Sequence, residues 1–415
     1  MKSILLLAYQ ISPTRGSEYG VGWNFVINLA KRNKVFVVCG ASGDHMGDTK
    51  EIEEHFRIYP DANISIIAVR PSRLVTLINW FNKKGLTPAF YLAFMFWHRQ
   101  VFAIVKELIK VERIDVIHQL NPIGFREPGY LWKLDKPFVW GPIGGAQFVN
   151  TVLLKNFPFR YKFLIFAKNA ATFLQLKYYS RVRRAATQAS QLIFSTEENR
   201  SNFQRFIGRS GLLLSEQASF GFVTDFIESR VDVKSLFEMV WVGNVIKRKN
   251  LIFLFNALAL ISERDRWRLK IIGDGPEIEN LKALSRNLKI SENIVWHGKK
   301  SQADAISLIS GADLHVLSSL SEANTTVLYE AMSVGVPTIS LDQNGMHTSL
   351  ANGRGVLVPI TTYNQTLEVF ASEINSLILN PRRIIELKHK MVRLIDESSW
   401  VKKIEKFEMI YDSVS

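Results

Sequence analysis

The sequence predicts an α/β protein in which helices cover parallel, doubly wound sheets. Short apolar strands alternate with helical stretches, a pattern that is typical of parallel sheets. The length of 415 residues suggests two or three domains, each large enough to bury its own core. The composition is that of an ordinary globular protein. Its one cysteine, Cys39, excludes a disulfide framework within the chain.

The amino-terminal half begins with a strand, Ser3–Tyr9, and a helix, Val21–Lys31. Four more strands follow, with helical stretches between them: Val35–Cys39, Ile64–Val69, Val116–His118 and Phe138–Trp140. Ligands of doubly wound sheets bind beyond the carboxyl ends of the strands. Three polar segments follow such ends, and we expect them to line a ligand site: Gly16–Gly20, His118–Asn121 and Gly141–Gly145.

The carboxyl-terminal half contains a strand–loop–helix connection. The apolar run Asp313–Leu317 predicts a buried strand. A helix follows, with Asn324 as its N-cap and Thr325 and Thr326 in its first turn. The backbone N–H groups at the start of such a helix are suited to bind a phosphate.

Glu322 precedes this helix and Glu330 lies near its middle, so that both carboxylates can face one ligand. Spacing alone is weak evidence, since many helix glutamates are only solvated. Further motifs accompany the pair: Gly273-Asp274-Gly275-Pro276, Val295-Trp296-His297-Gly298 and Gly353-Arg354-Gly355. In this order and spacing, residues Met239 to Pro359 resemble the donor domain of retaining glycosyltransferases of family 4.

This resemblance implies the GT-B fold, in which two Rossmann-like domains face a central cleft. It implies that Glu330 accepts hydrogen bonds from the ribose hydroxyls of the donor. Glu322 would hold hydroxyls of the donor sugar and is a catalytic candidate. The other donor-binding residues that the resemblance implies here are Gly273, Gly298, Asn324, Thr325 and Thr326.

The second domain opens with a segment that resembles the family's G-R-L-x-x-x-K-G. Lys249 takes the lysine position as a catalytic candidate, and its compact charge suits a diphosphate. Asn250 stands where glycine is usual. Asn244, a donor-binding candidate, replaces the arginine. Either Lys247 or Arg248 supplies the missing charge, or both are only solvated.

Transfer from a nucleotide diphosphate leaves negative charge on the departing phosphate. Many transferases neutralise this charge with a metal that an Asp-x-Asp pair holds, and the chain contains no such pair. We therefore expect no metal and no cofactor. Lys249 and the N–H groups at Asn324–Thr326 would stabilise the charge instead. The donor would be a UDP- or GDP-sugar.

In the first domain, Arg15–Trp23 resembles the glycine loop G-S-E-x-G-V-G-W of a family 4 subgroup. The resemblance places Gly16 at the donor phosphates, where backbone must approach closely. It places Ser17 and Glu18 on the acceptor side. The alternative is a tight strand-to-helix connection with Ser17 or Glu18 near the helix cap.

The segment Asp115–His118 resembles the family's D-V-x-H and makes His118 a catalytic candidate. The alternative is a core histidine with satisfied hydrogen bonds. The family often has H-x-H, and here Leu120 takes the second position. Further acceptor-side or cleft candidates are Asn121, Arg126, Gly144 and Gly145. Arg126 and Glu127 make either acceptor contacts or a local ion pair.

The domain boundary is expected between Phe206 and Met239, where glycines interrupt the periodicity. We predict an acceptor-binding domain over residues 1–215 and a donor-binding domain over residues 216–397. Beyond them, Ser399–Tyr411 predicts an amphipathic helix. In GT-B proteins such a helix crosses back to the first domain, so residues 398–415 are assigned there.

The net charge of +14 indicates an acidic partner. No acidic residue occurs from Lys136 to Thr196, where aromatic residues alternate with lysines and arginines. We predict that the first domain docks on an anionic membrane surface through Lys155–Arg184. Four cations would share the outward face: Arg160, Lys162, Lys168 and Arg181. The alternative is an ordinary basic surface over a buried aromatic core.

These observations predict a metal-independent retaining glycosyltransferase that moves a hexose to a saccharide acceptor. The resemblance implies a lipid-linked acceptor in surface polysaccharide or lipopolysaccharide assembly. No signal peptide or membrane-spanning run is evident, so we expect a cytoplasmic protein on the inner face of the cell membrane. The alternatives are a GT-B sugar-nucleotide epimerase, a subunit that activates a partner, and a nucleic-acid-binding protein. No helix-turn-helix, RNP or zinc pattern supports a nucleic-acid partner.

Overall fold

The structure, a computed structural model, describes residues 1–16, 18–41, 50–86, 88–219 and 236–415. The chain forms two compact units. The first unit comprises Met1–Gln147, Ala171–Glu216 and Trp400–Ser415. The second unit comprises Phe148–Ala170 and Gln217–Ser399. Each unit is built on its own parallel sheet.

Seven strands of the described chain form the sheet of the first unit: β1 (Ser3–Ala8), β2 (Lys34–Gly40), β3 (Ile64–Val69), β4 (Val116–Asn121), β5 (Phe138–Ile143), β6 (Gln191–Phe194) and β7 (Leu212–Leu213). They are parallel and lie in the order β3-β2-β1-β4-β5-β6-β7. The central strands β4 and β5 are buried along their whole length, as parallel sheets between helical layers require.

The first seven helices are α1 (Glu18–Leu29), α2 (Lys50–Ile58), α3 (Arg73–Lys83), α4 (Pro88–Val111), α5 (Phe159–Tyr178), α6 (Ser180–Gln188) and α7 (Glu197–Ile207). All belong to the first unit except α5, whose residues up to Ala170 belong to the second. No helix in the described ranges combines the length and apolar character that crossing a bilayer requires.

The described part of the second unit contains six strands: β8 (Phe237–Val242), β9 (Trp267–Ile272), β10 (Ile294–Gly298), β11 (Leu314–Leu317), β12 (Thr338–Leu341) and β13 (Gly355–Val358). They are parallel, in the order β10-β9-β8-β11-β12-β13. Its helices are α8 (Leu251–Ala259), α9 (Ile278–Asn287), α10 (Gln302–Ser310), α11 (Thr326–Ser333), α12 (Asn344–Leu350), α13 (Tyr363–Leu379) and α14 (Pro381–Ile395).

The last helix, α15 (Trp400–Val414), belongs to the first unit, as the sequence predicted. Phe407 and Tyr411 on its inner face are fully buried. The Phe407 ring packs against Phe25 of α1. The rings of Phe407 and Tyr411 both pack against His118 of β4. The amphipathic pattern of this helix therefore completes the core of the first unit.

One segment departs from the predicted division at residue 215. Phe148–Ala170 was assigned to the first domain, but it packs within the second unit. The reason is apolar burial: Leu153, Leu154 and Phe157 lie in the core of the second unit. The predicted boundary region includes residues 220–235, which lie outside the described residues.

Strands β4 and β5 extend further than predicted. The predicted strands ended at His118 and Trp140, but β4 continues to Asn121 and β5 to Ile143, and these residues are buried. Because β4 lies between β1 and β5, its backbone is paired on both edges. The loop after β5 therefore begins only at Gly144.

Candidate functional site

Three glycines stand side by side at the carboxyl edge of the second sheet. Gly243 follows β8, Gly273 follows β9, and Gly298 ends β10. The N–H of Gly273 donates to the carbonyl oxygen of Gly298 at 2.9 Å. A Cβ atom on Gly273 would lie 1.8 Å from the Gly243 carbonyl oxygen. This close backbone approach requires glycine at position 273 and leaves the edge without side chains there.

The same edge holds a cluster of three charged side chains, two of which are buried. The Nζ atom of Lys249 lies 2.7 Å from Oε1 of Glu322, and Nη1 of Arg248 lies 2.7 Å from Oε2. Lys249 and Glu322 are buried. Burial opposes ionisation of Glu322, but the two cations outweigh it, and its pKa lies below the usual value. The structure thus brings together two residues that the sequence assigned separate roles.

Backbone hydrogen bonds hold this cluster in place. The Ser318 hydroxyl donates to the Lys249 carbonyl oxygen at 3.0 Å. The Leu320 N–H donates to the Arg248 carbonyl oxygen at 2.8 Å. Arg248 itself donates through Nη1 to the Ser321 carbonyl oxygen at 2.8 Å. The loop after β8 and the loop after β11 are therefore joined on both sides of the ion pairs.

The neighbouring residues answer two questions that the sequence left open. Asn250 has φ +54°, a left-handed conformation that glycine or asparagine adopts most readily. Asn244 is exposed. The Nζ atom of Lys247 lies 3.9 Å from Oε1 of Glu277. Of the two cations Lys247 and Arg248, it is therefore Arg248 that contacts Glu322.

The start of α11 differs from the prediction by one residue. Thr325 is the N-cap, its side chain makes no capping hydrogen bond, and Thr326 begins the helix. Asn324 was expected to be the cap, but its Oδ1 accepts a hydrogen bond from the Ser349 hydroxyl at 2.7 Å. That contact ties the Asn324 side chain to α12.

Glu330 lies in α11 and is buried. Its Oε1 accepts a hydrogen bond from Nε2 of Gln302 at 2.6 Å. Burial raises the pKa of Glu330, and the Gln302 contact opposes that rise. No motif in the sequence indicated Gln302. Its position at the first residue of α10, beside the Gly298 loop, was the only available signal.

Most of the acceptor-side candidates form one hydrogen-bonded group in the first unit. Asn121 Nδ2 donates to the carbonyl oxygen of Glu18 at 3.3 Å. The Ile123 N–H donates to Oε1 of Glu18 at 3.5 Å, and the Ile123 carbonyl accepts from the Gly144 N–H at 2.8 Å. Burial raises the pKa of Glu18 to about 7. Arg126 joins the group through Nη1, which donates to the Gly145 carbonyl oxygen at 3.4 Å.

His118 does not belong to this group, and its catalytic role stays a prediction. It is completely buried. Its Nε2 donates to the Gly141 carbonyl oxygen at 2.6 Å, and its Nδ1 accepts from the Tyr411 hydroxyl at 2.7 Å. Burial lowers its pKa to about 4, so the ring is neutral at pH 7. These contacts are those expected of the alternative, a core histidine with satisfied hydrogen bonds.

Gly16, in the loop before α1, has no close neighbour that supports its predicted role. Gly16 is exposed, and a Cβ atom there would have no heavy atom within 4 Å. Ser17 lies outside the described residues. The donor and acceptor roles of this loop stay predictions.

Arg126 lines a cavity of 530 Å³ in the first unit. Tyr91 and Tyr178 contribute to its walls. Arg126 also donates through Nε to Oε1 of Gln175 at 2.7 Å. None of the described carboxylates forms an ion pair with Arg126, and Glu127 pairs with Arg181 instead. The cavity therefore presents an unbalanced guanidinium.

The pairing of Arg181 also corrects the predicted outward face of the basic segment. Arg181 is largely buried against Glu127, whereas Arg160 and Lys168 are exposed. Burial raises the pKa of Glu127 to about 7, against the opposing effect of Arg181.

In the described ranges, no group of three His, Cys, Asp or Glu side chains could hold a metal ion.

Comparison with known proteins gives matches in sequence and matches in fold. The model of the family described as glycosyl transferases group 1 matches residues 226–395. A lipopolysaccharide 1,6-galactosyltransferase of Salmonella typhimurium is 37% identical over 91 residues, which cover 21% of this chain and 25% of that protein. The lipopolysaccharide core biosynthesis glycosyltransferase LpsD of Rhizobium meliloti is 30% identical over 109 residues, 26% of this chain and 30% of LpsD. The chain thus spans less than a third of the length of these two relatives.

Among solved structures, HepE of Anabaena in complex with UDP and glucose superimposes with a TM-score of 0.62 at 15% identity. The match covers 100% of both chains. The likeness confirms the predicted GT-B fold. The family match lies within the second unit, and the likeness in fold to HepE extends over the whole chain.

Replacement of Glu322 by Gln should destabilise the protein in a pH-dependent manner. A lowered folded pKa means that ionised Glu322 stabilises the fold above the unfolded value, about 4.3, and that this stabilisation is lost as the pH falls through the folded pKa. We expect a loss of about 1–3 kcal/mol at pH 7 that shrinks below pH ~4. Thermal unfolding of both proteins across this range measures it.

The control is Glu279→Gln, which removes an exposed ion pair with Lys282 on α9 and should change little at either pH. A Glu322→Gln protein whose unfolding midpoint differs from wild type by the same amount at pH 7 and pH ~3.5 would contradict the ionised state of Glu322.

Proposed function

We propose that the protein is a retaining, metal-independent hexosyltransferase of family 4. It transfers a hexose from a UDP- or GDP-sugar to a saccharide acceptor, which is linked to a lipid, in the assembly of lipopolysaccharide or another surface polysaccharide. It acts on the cytoplasmic face of the cell membrane. The observation that carries this proposal is the charged cluster of Lys249, Arg248 and Glu322 in the unit that the family model matches.

The donor side follows from the charges at the carboxyl edge of the second sheet. The departing nucleoside diphosphate needs positive charge fixed before the reaction, because preorganised charge stabilises the transition state most effectively. Lys249 and Arg248 are fixed by Glu322 and by the loop hydrogen bonds. Arg248 would supply the second phosphate contact that Asn244 lacks. The N-terminus of α11 would add backbone N–H groups.

The glutamates would bind the two ends of the donor. Glu330, held by Gln302, would accept hydrogen bonds from the ribose hydroxyls. Glu322 would keep Lys249 in position and hold hydroxyls of the transferred sugar. HepE was crystallised with UDP and glucose, and the relatives are described as lipopolysaccharide glycosyltransferases, which supports a nucleotide-sugar donor and this class of acceptor.

The acceptor would bind in the first unit at the cavity that Arg126 lines. Tyr91 and Tyr178 offer ring faces on which sugar rings can stack. Arg126 offers a charge without a carboxylate partner among the described residues, which suits an acceptor that carries an acidic or phosphorylated sugar.

Donor binding is tested with two variants. Glu330→Ala should weaken binding of the nucleoside diphosphate, because it removes the ribose acceptor. Lys249→Ala should lower kcat more than it lowers nucleoside affinity, because its partner is the phosphate. Thermal shifts with UDP, GDP and ADP identify the base, since a ligand at about a hundred times its Kd stabilises the fold by roughly 2.7 kcal/mol. Glu279→Ala is the surface control, and wild-type transfer by both site variants would refute the assignment.

Metal independence is tested by transfer assays in excess EDTA. We expect unchanged rates, because Lys249 and Arg248 replace the charge of a metal. Activity that is lost in EDTA and restored by manganese would overturn this part of the proposal.

Release of free nucleotide only when acceptor is present would separate a transferase from an epimerase.

The acceptor site is tested with Arg126→Gln. Loss of one charged hydrogen bond is worth about 1.5–3 kcal/mol, so KM for the acceptor should rise roughly 10- to 100-fold while UDP binding is unchanged. Arg183→Gln is the matched control, since Arg183 lies in the same unit and donates to the backbone carbonyl of Phe206 outside the cavity. An unchanged KM in Arg126→Gln would place the acceptor elsewhere.

A further inference from the structure

A second cavity, of 640 Å³, lies wholly within the second unit. The first turns of α5 form one wall, and the chain between β13 and α13 forms the other. Leu154 lies beneath it and is buried. The cavity is not part of the proposed donor or acceptor site, since none of the residues assigned to either lines it.

The α5 wall carries an exposed aromatic stripe. Phe159, Phe163 and Phe166 are 80%, 63% and 66% exposed and line the cavity. Their spacing places them on one face of the helix. Ile165, on another face of α5, is buried in the core of the second unit. The helix is therefore held against the core, and three phenylalanines still face solvent.

Two lysines stand at this cavity without acidic partners. Lys155 and Lys162 line it, and neither forms an ion pair with a carboxylate in the described ranges. Lys155 Nζ donates to Oδ1 of Asn364 at 2.7 Å, and Lys162 Nζ donates to the Lys155 carbonyl oxygen at 2.9 Å. Both partners are neutral, so two positive charges remain beside the apolar groove.

The groove is formed before any ligand binds. Asn156 Nδ2 donates to the Tyr363 hydroxyl at 2.8 Å, and Lys155 contacts Asn364. These contacts join the segment just before α5 to the start of α13. A preformed groove loses little conformational entropy when it is filled.

We propose that this groove binds an anionic phospholipid of a bilayer leaflet, with an acyl chain along the phenylalanine stripe and the phosphate at Lys155 and Lys162. Apolar surface beside positive charge matches that chemistry, because aromatic rings enter the headgroup layer and lysines bind anionic lipids. The second unit, and not the first, then carries this membrane contact. The benefit to catalysis rests on the proposed lipid-linked acceptor, whereas the lipid binding itself does not.

The test is flotation of the full-length protein with vesicles of phosphatidylcholine, with and without phosphatidylglycerol. Wild type should bind the anionic vesicles much more tightly than the neutral ones. Lys155→Gln with Lys162→Gln should weaken binding roughly 30-fold at low salt. Arg382→Gln with Lys390→Gln removes the same charge from exposed positions of α14 and should bind as wild type.

The apolar part is tested by changing Phe159, Phe163 and Phe166 to Ser together, which should lower the binding that persists at high salt by tenfold or more. The matched control changes three other exposed apolar residues of the second unit to Ser: Leu260, Val369 and Leu379. UDP stabilisation of every variant is measured in parallel. It reports an intact fold and tests the proposed function separately.

Insertion is measured directly with a fluorescent label on Phe166→Cys. The chain's own cysteine, Cys39, is buried in β2, so the label attaches at the new position. A blue shift with anionic vesicles, absent for the same label on Leu260→Cys, is expected. The proposal is overturned if wild type ignores anionic vesicles or binds neutral ones equally. It is also overturned if the serine variant instead dissolves a dimer of this chain.

Discussion

Every described strand of both sheets runs parallel to its neighbours, and this constraint decides where polar side chains can lie. A parallel sheet is buried on both faces, so its strands are apolar and its loops gather at two edges. The charged cluster at Glu322 lies at the carboxyl edge of the second sheet, between loops of neighbouring strands β8 and β11. The glycines at 243, 273 and 298 lie at the same edge. The chemistry proposed for this protein is concentrated where the sheet ends.

A polar residue inside a strand must satisfy its hydrogen bonds within the protein. His118 and Asn121 in β4 do so. Asn121 braces the loop after β1 by donating to Gln10 and Glu18, and His118 joins Gly141 to Tyr411. These contacts explain both residues without a ligand. A histidine after a strand motif is therefore weak evidence for catalysis when the strand is central in the sheet.

The sequence predicted the fold well because strand and helix periodicity are local properties. Ile64–Val69 was predicted at its observed bounds. Tertiary contacts were harder to predict. No local pattern shows that Leu153 and Phe157 are buried in the second unit, or that β4 continues past His118. Those features depend on which distant residues pack against them.

The site was predicted as a set of residues but not as an arrangement. Lys249 and Glu322 were each chosen for a ligand contact, and the structure pairs them with each other. Arg248 was left open between a role and simple solvation. Its contact with Glu322 depends on the hydrogen bond between Leu320 and Arg248, which joins two loops far apart in the sequence. Residue types and spacing do not encode that junction.

The interleaved course of the chain also bears on how the protein is made. The first unit includes Trp400–Ser415, so a nascent chain cannot complete that core until the last helix has left the ribosome. Until then, Phe25 and His118 lack the Phe407 ring that packs against both of them. The second unit needs Phe148–Ala170, which is synthesised long before its sheet. Domains usually fold in order during synthesis, but here both units finish late, and their unburied apolar surface is an expected target for chaperones.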